Sequence, residues 1–270
     1  IYSVMKHFPY EKRYFLYNEL NTKISEDNIH VRLQFNKYQK KIRSLLKSLS
    51  IDNIAVKCRD VANYVSCNPL STLGSILKQI ENYDKVSELI VVSAEFFSDF
   101  AYDTLQYILL IQLASERSTL QDDGITPKMW ISSLSLFIAG LAKICSKMDM
   151  SNIFVFMVKS LHKDPSLTLS ILKEMITQVA GIQNLYDVNW NTLIMLNSGP
   201  FLKQLGRALV LDFRDKYFNR SKAIINYLVK LNAVSEMIVI LTNLNLKIQS
   251  ENDVHFKILS PKCDESNSLL

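Results

Sequence analysis

One stretch of this chain concentrates side chains with an evident electrostatic use. With residues placed at 100° intervals from Lys37, the cations Arg32, Lys37, Lys40, Lys41, Arg43 and Lys47 share one arc of a helix. Val31, Phe35, Tyr38, Ile42, Leu45, Leu46 and Leu49 fall on the complementary arc, at roughly 80–180°. No Asp or Glu occurs between Asn28 and Ile51. A plain solvent-facing helix side is the first reading. Because a solvated face normally mixes both signs, contact with phosphates, as in RNA, or with an acidic protein surface is the other. A second basic run, Lys203, Arg207, Arg214, Lys216, Arg220 and Lys222, is interrupted by Asp212 and Asp215 and is the weaker candidate.

Other chemistry is sparse. His7, His30, His162 and His255 lie far apart, none with a second His or a Cys at metal-ligand spacing. There is no Gly-rich phosphate loop, nucleophile elbow or HExxH. Asp122-Asp123 is the one tight acidic pair, but it lacks the alternating oxygen ligands and closing Glu of a calcium loop, and reads as a turn. No catalytic residue, cofactor or metal is expected. Cys58, Cys67, Cys145 and Cys263 are widely spaced, which fits reduced, mostly buried thiols of an intracellular protein. Aromatics such as Phe96, Phe97, Phe100, Tyr102 and Tyr107 follow helical stripes, which suits a core and not a base-stacking platform.

The elements that must position the basic arc are helices. Four of the six prolines follow a residue suited to starting a helix: Asn68-Pro69, Thr126-Pro127, Asp164-Pro165 and Gly199-Pro200. Apolar residues then recur at spacings of three and four, as in Leu70, Leu73, Leu77 and Ile80. The pattern predicts helices near 9–21, 28–49, 53–65, 69–82, 85–97, 100–116, 127–147, 151–162, 165–180, 200–217, 219–231 and 233–246. Irregular segments are expected at Gln121–Thr126 and Gly181–Gly199. Short turns between such helices imply an all-α fold of antiparallel pairs stacked as a HEAT-like solenoid over 1–246, with a loose polar tail at 247–270.

With 48% hydrophobic and 21% charged residues and a net charge of +5, the 270-residue chain lies far from the disordered regime. No run reaches the roughly 18 apolar residues of a membrane span. The start, Ile1-Tyr2-Ser3-Val4, has neither an initiator Met nor the features of a signal peptide, and reads as cut from a longer protein.

A set of landmarks in fixed order adds an identity to this reading. They are Phe8-Pro9, Arg13-Tyr14, Leu16-Tyr17, Arg43 to Ser50, Asn53 and Ser66-Cys67-Asn68-Pro69. Gln79-Ile80, Tyr83-Asp84, Tyr102-Asp103-Thr104-Leu105, Tyr107 and Asp122-Asp123 follow. Trp130, Leu134, Phe137 and Gly140 come next, and Leu169 to Met175 with Ala180-Gly181-Ile182 closes the series. In this order they resemble the THO complex subunit 2 family, the large scaffold subunits at the core of the transcription–export (TREX) machinery. The likeness is densest over 8–182 and thins towards Leu246. Where the family often has Gly-Arg-x-Ile-Gly, this chain has Cys58-Arg59-Asp60-Val61-Ala62, which suggests a divergent, fungal member.

The resemblance implies a nuclear, non-catalytic scaffold segment in a multi-subunit complex. Its partners would be other THO subunits, a DEAD-box RNA helicase and nascent mRNA or mRNP, the last reached directly or through others. The family couples elongation to mRNP assembly, export and protection against RNA–DNA hybrids. Its middle region is similar to the HEAT-type middle domain of a translation initiation factor. A HEAT-like adaptor of another assembly and a direct RNA-binding helical module are the other readings.

If Asn68 caps the helix that opens at Pro69, Asn68→Ala should cost about 0.5–2 kcal/mol in urea unfolding. An unchanged midpoint would place that helix start elsewhere.

Overall fold

Side-chain caps set where several helices begin in the computed structural model, which describes residues 2–122, 126–162, 165–180, 190, 199–200 and 213–250. Asn28 accepts from the backbone N–H groups of His30 and Val31 at 3.0 and 3.3 Å. Asn68 accepts from Ser71 N at 3.3 Å, with Pro69 in the first turn where its missing N–H costs nothing. Ser98 accepts from Ala101 N at 3.3 Å. Among the described residues the regular elements are all helical, and the lone β-bridge joins Leu120 to Pro127.

In chain order the helices are α1 (Tyr2–Met5), α2 (Tyr10–Glu19), α3 (Ser25–Asp27), α4 (Ile29–Lys47), α5 (Ile54–Cys67) and α6 (Pro69–Asn82). They continue as α7 (Asp84–Ala94), α8 (Asp99–Leu113), α9 (Met129–Ile144), α10 (Ser151–Leu161), α11 (Pro165–Ala180), α12 (Phe213–Lys230) and α13 (Ala233–Ser250). A π-helical turn, Leu20–Ile24, carries α2 into α3, so this end stays helical well past the expected stop at residue 21.

Three expectations need correction. Pro127 does not open a helix: it pairs with Leu120, Gln121 N donates to Thr126 O at 2.8 Å, and α9 starts only after Lys128. No break separates 217 from 219, because α12 is continuous through both. The last helix runs to Ser250, past the expected end at 246. Residues 123–125 of the irregular segment expected at 121–126, 181–189 and 191–198 of the one expected at 181–199, 201–212 of the helix expected at 200–217, the cap Asp164 and the tail from 251 lie outside the described residues.

The core is built on helices buried around most of their circumference. In α8 every residue from Ala101 to Leu109 is buried, and in α9 so are Ser133–Ser135 and Phe137–Ala142. A helix apolar on all sides has no solvent face to offer and must sit inside. Several buried polar side chains are satisfied by bonding back one turn. Thr72 Oγ1 donates to Asn68 O at 2.6 Å, Ser75 Oγ to Ser71 O at 3.1 Å and Thr104 Oγ1 to Phe100 O at 2.9 Å.

Packing skips along the chain. α4 lies on α6, α5 on α7, α6 on α8 and α9, α7 on α9, and α9 most extensively on α11. Consecutive helices also touch, as in α5–α6 and α10–α11. Between α12 and α13 the axis bends by 88° at Leu231-Asn232, where Asn232 takes φ 50°. Asn tolerates that left-handed state better than most residues, and it ends the helix. Among the described residues no single helix is long and apolar enough to cross a membrane.

Cys58 and Cys145 are buried free thiols, Cys67 is exposed, and Cys263 lies outside the described residues. Burial pushes the Cys145 thiol up to about 11.

At the α7–α9 crossing a Cβ on Gly140 would stand 2.9 Å from Val91 Cγ2. That neighbour is a short, stiff branched chain that cannot swing aside. Gly140→Ala should therefore cost about 1–3 kcal/mol by overpacking. Adding Val91→Ala should cost less than the two single losses summed, as a double-mutant cycle in urea would measure.

Candidate functional site

The basic arc is displayed by α4, whose register follows from its apolar side. Ile42 and Leu46 are buried, and Val31, Phe35, Tyr38, Leu45 and Leu49 are half-buried, facing α6 and α5. Ser71 on α6 donates its hydroxyl to Phe35 O at 2.8 Å and pins the contact. With that side inward, Arg32, Lys37, Lys40, Lys41, Arg43 and Lys47 are all exposed. Lys41 leans aside: its Nζ stands 5.8 Å from the Tyr38 ring centroid and 5.7 Å from that of Tyr64 on α5. Beyond the end of α4, Lys57 Nζ donates to Ser48 O at 2.8 Å.

Two apolar residues share this outer face. Ile29 is 56% exposed and Leu33 58%. At 100° per residue they fall at roughly 280° and 320°, beside Lys40 and Lys47. The arc read from the sequence holds cations alone; the i, i+4 spacing of Ile29 and Leu33 is the signal that adds this pair to it.

The weaker basic set has different surroundings. Lys203 and Arg207 lie outside the described residues, and Arg214 and Lys216 sit on α12. Arg220 is half-buried and donates through Nη2 to Ile144 O at 3.3 Å, which takes it out of an open surface, whereas Lys222 is exposed. α12 packs on α9, α10, α11 and α13, whereas α4 packs on α3, α5 and α6. The fold gives the two sets different neighbours.

A polar cluster that spacing could not reveal ties α2 to the core. Asp103 on α8, 8% exposed, receives Arg13 Nε at 2.9 Å and Nη2 at 2.8 Å, a bidentate pair, and the Tyr17 hydroxyl at 2.7 Å. Arg13 Nη1 also donates to Phe8 O at 2.6 Å. One turn on, Gln106 Oε1 accepts from Tyr14 OH at 2.7 Å and from Asn152 Nδ2 on α10 at 2.9 Å. Gln106 Nε2 donates to Asp149 O. The hydrogen bond to Asp103 holds the Arg13 guanidinium above its ordinary value. Burial raises the Tyr14 and Tyr17 phenols, and at Tyr17 the bond to Asp103 adds to it. Tyr14, Tyr17, Tyr107 and Phe100 pack ring on ring around the cluster.

These groups satisfy one another, which makes a structural tie. Its members sit about ninety positions apart, yet Arg13, Tyr14, Tyr17, Asp103 and Tyr107 are all among the landmark residues. A smaller tie holds the α8–α9 connection: Arg117 grips both carboxylate oxygens of Glu81 at 3.0 Å and stacks 3.9 Å over Trp130. Trp130 Nε1 donates to Ser118 O at 3.2 Å. Among the described residues no three His, Cys, Asp or Glu side chains gather as a metal would require.

Comparison with known proteins gives consistent matches. Residues 1–59 match the family model described as THO complex subunit 2 N-terminus, and residues 61–135 the one described as Transcription- and export-related complex subunit. The whole chain is 49% identical over 270 residues to THO complex subunit 2 of Saccharomyces cerevisiae. Its Arabidopsis thaliana namesake is 33% identical over 184 residues, 68% of this chain, and the Homo sapiens one 27% over 209 residues, 76% of it. The chain spans 17%, 10% and 13% of the length of these three relatives.

Asp103→Ala should leave Arg13 and Tyr17 facing an apolar gap and cost about 3–5 kcal/mol, as for a broken buried pair. Tyr17→Phe keeps the ion pair and should cost only about 1 kcal/mol. Urea unfolding of both variants measures the difference.

Proposed function

This chain belongs to the THO complex subunit 2 family, and on that premise we propose that it is a non-catalytic scaffold segment of a THO complex. The observation that carries the reading is the 49% identity to the yeast subunit along all 270 residues. In this reading the segment holds other THO subunits and recruits a DEAD-box RNA helicase in the nucleus. It thereby helps couple transcription elongation to mRNP assembly and mRNA export. Its helices stack as a HEAT-like array, similar to an initiation-factor middle domain. Support comes from helices two apart packing together, α4 on α6 and α5 on α7, as successive layers of such an array do. The working parts are surfaces, chiefly the outer face of α4.

Direct gripping of RNA by α4 is the second reading, favoured by its six exposed cations. Phosphate contacts would make that affinity fall steeply with salt. An adaptor role in a different assembly is disfavoured by the identity to THO subunits.

Co-expression with the remaining THO subunits and the helicase tests the scaffold reading. The chain should co-purify with at least one of them and, alone, should neither bind nor hydrolyse ATP. Failure to associate with any of them, or nucleotide binding by the chain alone, would overturn it.

A further inference from the structure

The outer face of α4 is not uniformly basic. Ile29 and Leu33 stand one turn apart at its N-terminal end, each more than half exposed, and Lys37, Lys40, Arg43 and Lys47 follow along the same side. At 1.5 Å per residue, Ile29 to Lys47 spans about 27 Å. None of these four cations joins an ion pair among the described residues, and no acid lies between Asn28 and Ile51. The face therefore offers an apolar foothold at one end and unanswered positive charge along the rest.

We propose that this face docks an acidic, amphipathic helical segment of a partner protein. Two apolar side chains of the partner cover Ile29 and Leu33, and its carboxylates meet Lys37, Lys40, Arg43 and Lys47. The inference deepens the scaffold reading, on which it rests, by stating the chemistry of one partner.

Charge complementarity admits RNA as well, but the other features favour a protein. A phosphate backbone gains nothing from two aliphatic side chains set among the cations. Single-stranded RNA would need flat rings to stack on. The rings nearest the cations, Tyr38 and Tyr64, are half-buried and lie under Lys41. An amphipathic helix laid along the face uses both halves of it, with apolar anchors at i and i+4 and charge beyond. Part of its binding should therefore survive salt, because apolar contact is not screened.

Fluorescence anisotropy with the 270-residue chain tests the proposal. The probes are 18-residue helical peptides with two leucines four positions apart and glutamates along the same face, made in both sequence directions. Their Glu→Gln counterparts and a 15-nucleotide single-stranded RNA complete the set. The better acidic peptide should bind at least tenfold more tightly than its Gln form and more tightly than the RNA. Ile29→Ser with Leu33→Ser should weaken it at least fivefold and leave the RNA unaffected. Lys40→Glu with Arg43→Glu should weaken both. All four positions are exposed, and unchanged thermal melting would show that the variants fold. RNA binding tighter than the acidic peptide, or peptide affinity unchanged in the Ile29/Leu33 variant, would overturn the proposal. A chain that co-purifies with THO subunits yet ignores the peptides loses this inference alone, whereas failed co-purification sinks the scaffold reading whatever the peptides do.

Discussion

A carboxylate almost sealed inside a helical core must have its charge answered there, and Asp103 is answered from another part of the chain. Arg13 meets it with two parallel N–H groups and Tyr17 with a hydroxyl. Because burial strengthens these bonds and penalises their loss, the contact fixes α2 against α8 in one register. Asn152 extends the tie to α10 through Tyr14 and Gln106. From α2 the chain runs through the π-turn and α3 to Asn28, with no long loop before α4 begins. A helical lead of this kind transmits position. Clamping Arg13 and Tyr17 thus helps determine where α4 presents its outer face, and Ile42 and Leu46 then set its rotation against α6.

The display on that face follows ordinary surface electrostatics. Each exposed cation is well hydrated, and a single exposed ion pair is worth about 0–1 kcal/mol. A basic face of this kind works by summation and by speeding encounter with an oppositely charged partner. In the proposed docking, affinity and selectivity must then come from something salt does not screen, and Ile29 and Leu33 are the residues there to supply it. The same logic explains why α4 tolerates so many like charges. Its stability comes from the apolar side and the Asn28 cap, and the cations spread over an arc open to solvent.

Much of the fold was legible in the residues. The Asn68-Pro69 pair and the 3–4 spacing after it gave α6 its observed ends, because cap and stripe agree. Pro165 opens α11 as read, and the outward turn of the basic arc follows from the stripe opposite. Pro127 misled because a proline near a helix start serves equally well beside it. Here the backbone of 119–121 pairs with that of 126–128 first. The break expected near 218 failed because nothing in that polar stretch interrupts a helix. The Arg13–Asp103 cluster was beyond local reading, since a contact over ninety positions exists only once the helices are packed. Its members nevertheless surfaced as family landmarks. Ile29 and Leu33 were visible but absorbed into a two-sided description of the helix.

In the proposed scaffold, assembly covers the outer face of α4. Acetylation footprinting of lysines, on the chain alone and within a complex assembled with the other THO subunits, tests it most directly. Lys37, Lys40 and Lys47 should react freely in the isolated chain and lose most of that reactivity on assembly. Equal reactivity of all three in both states would contradict it.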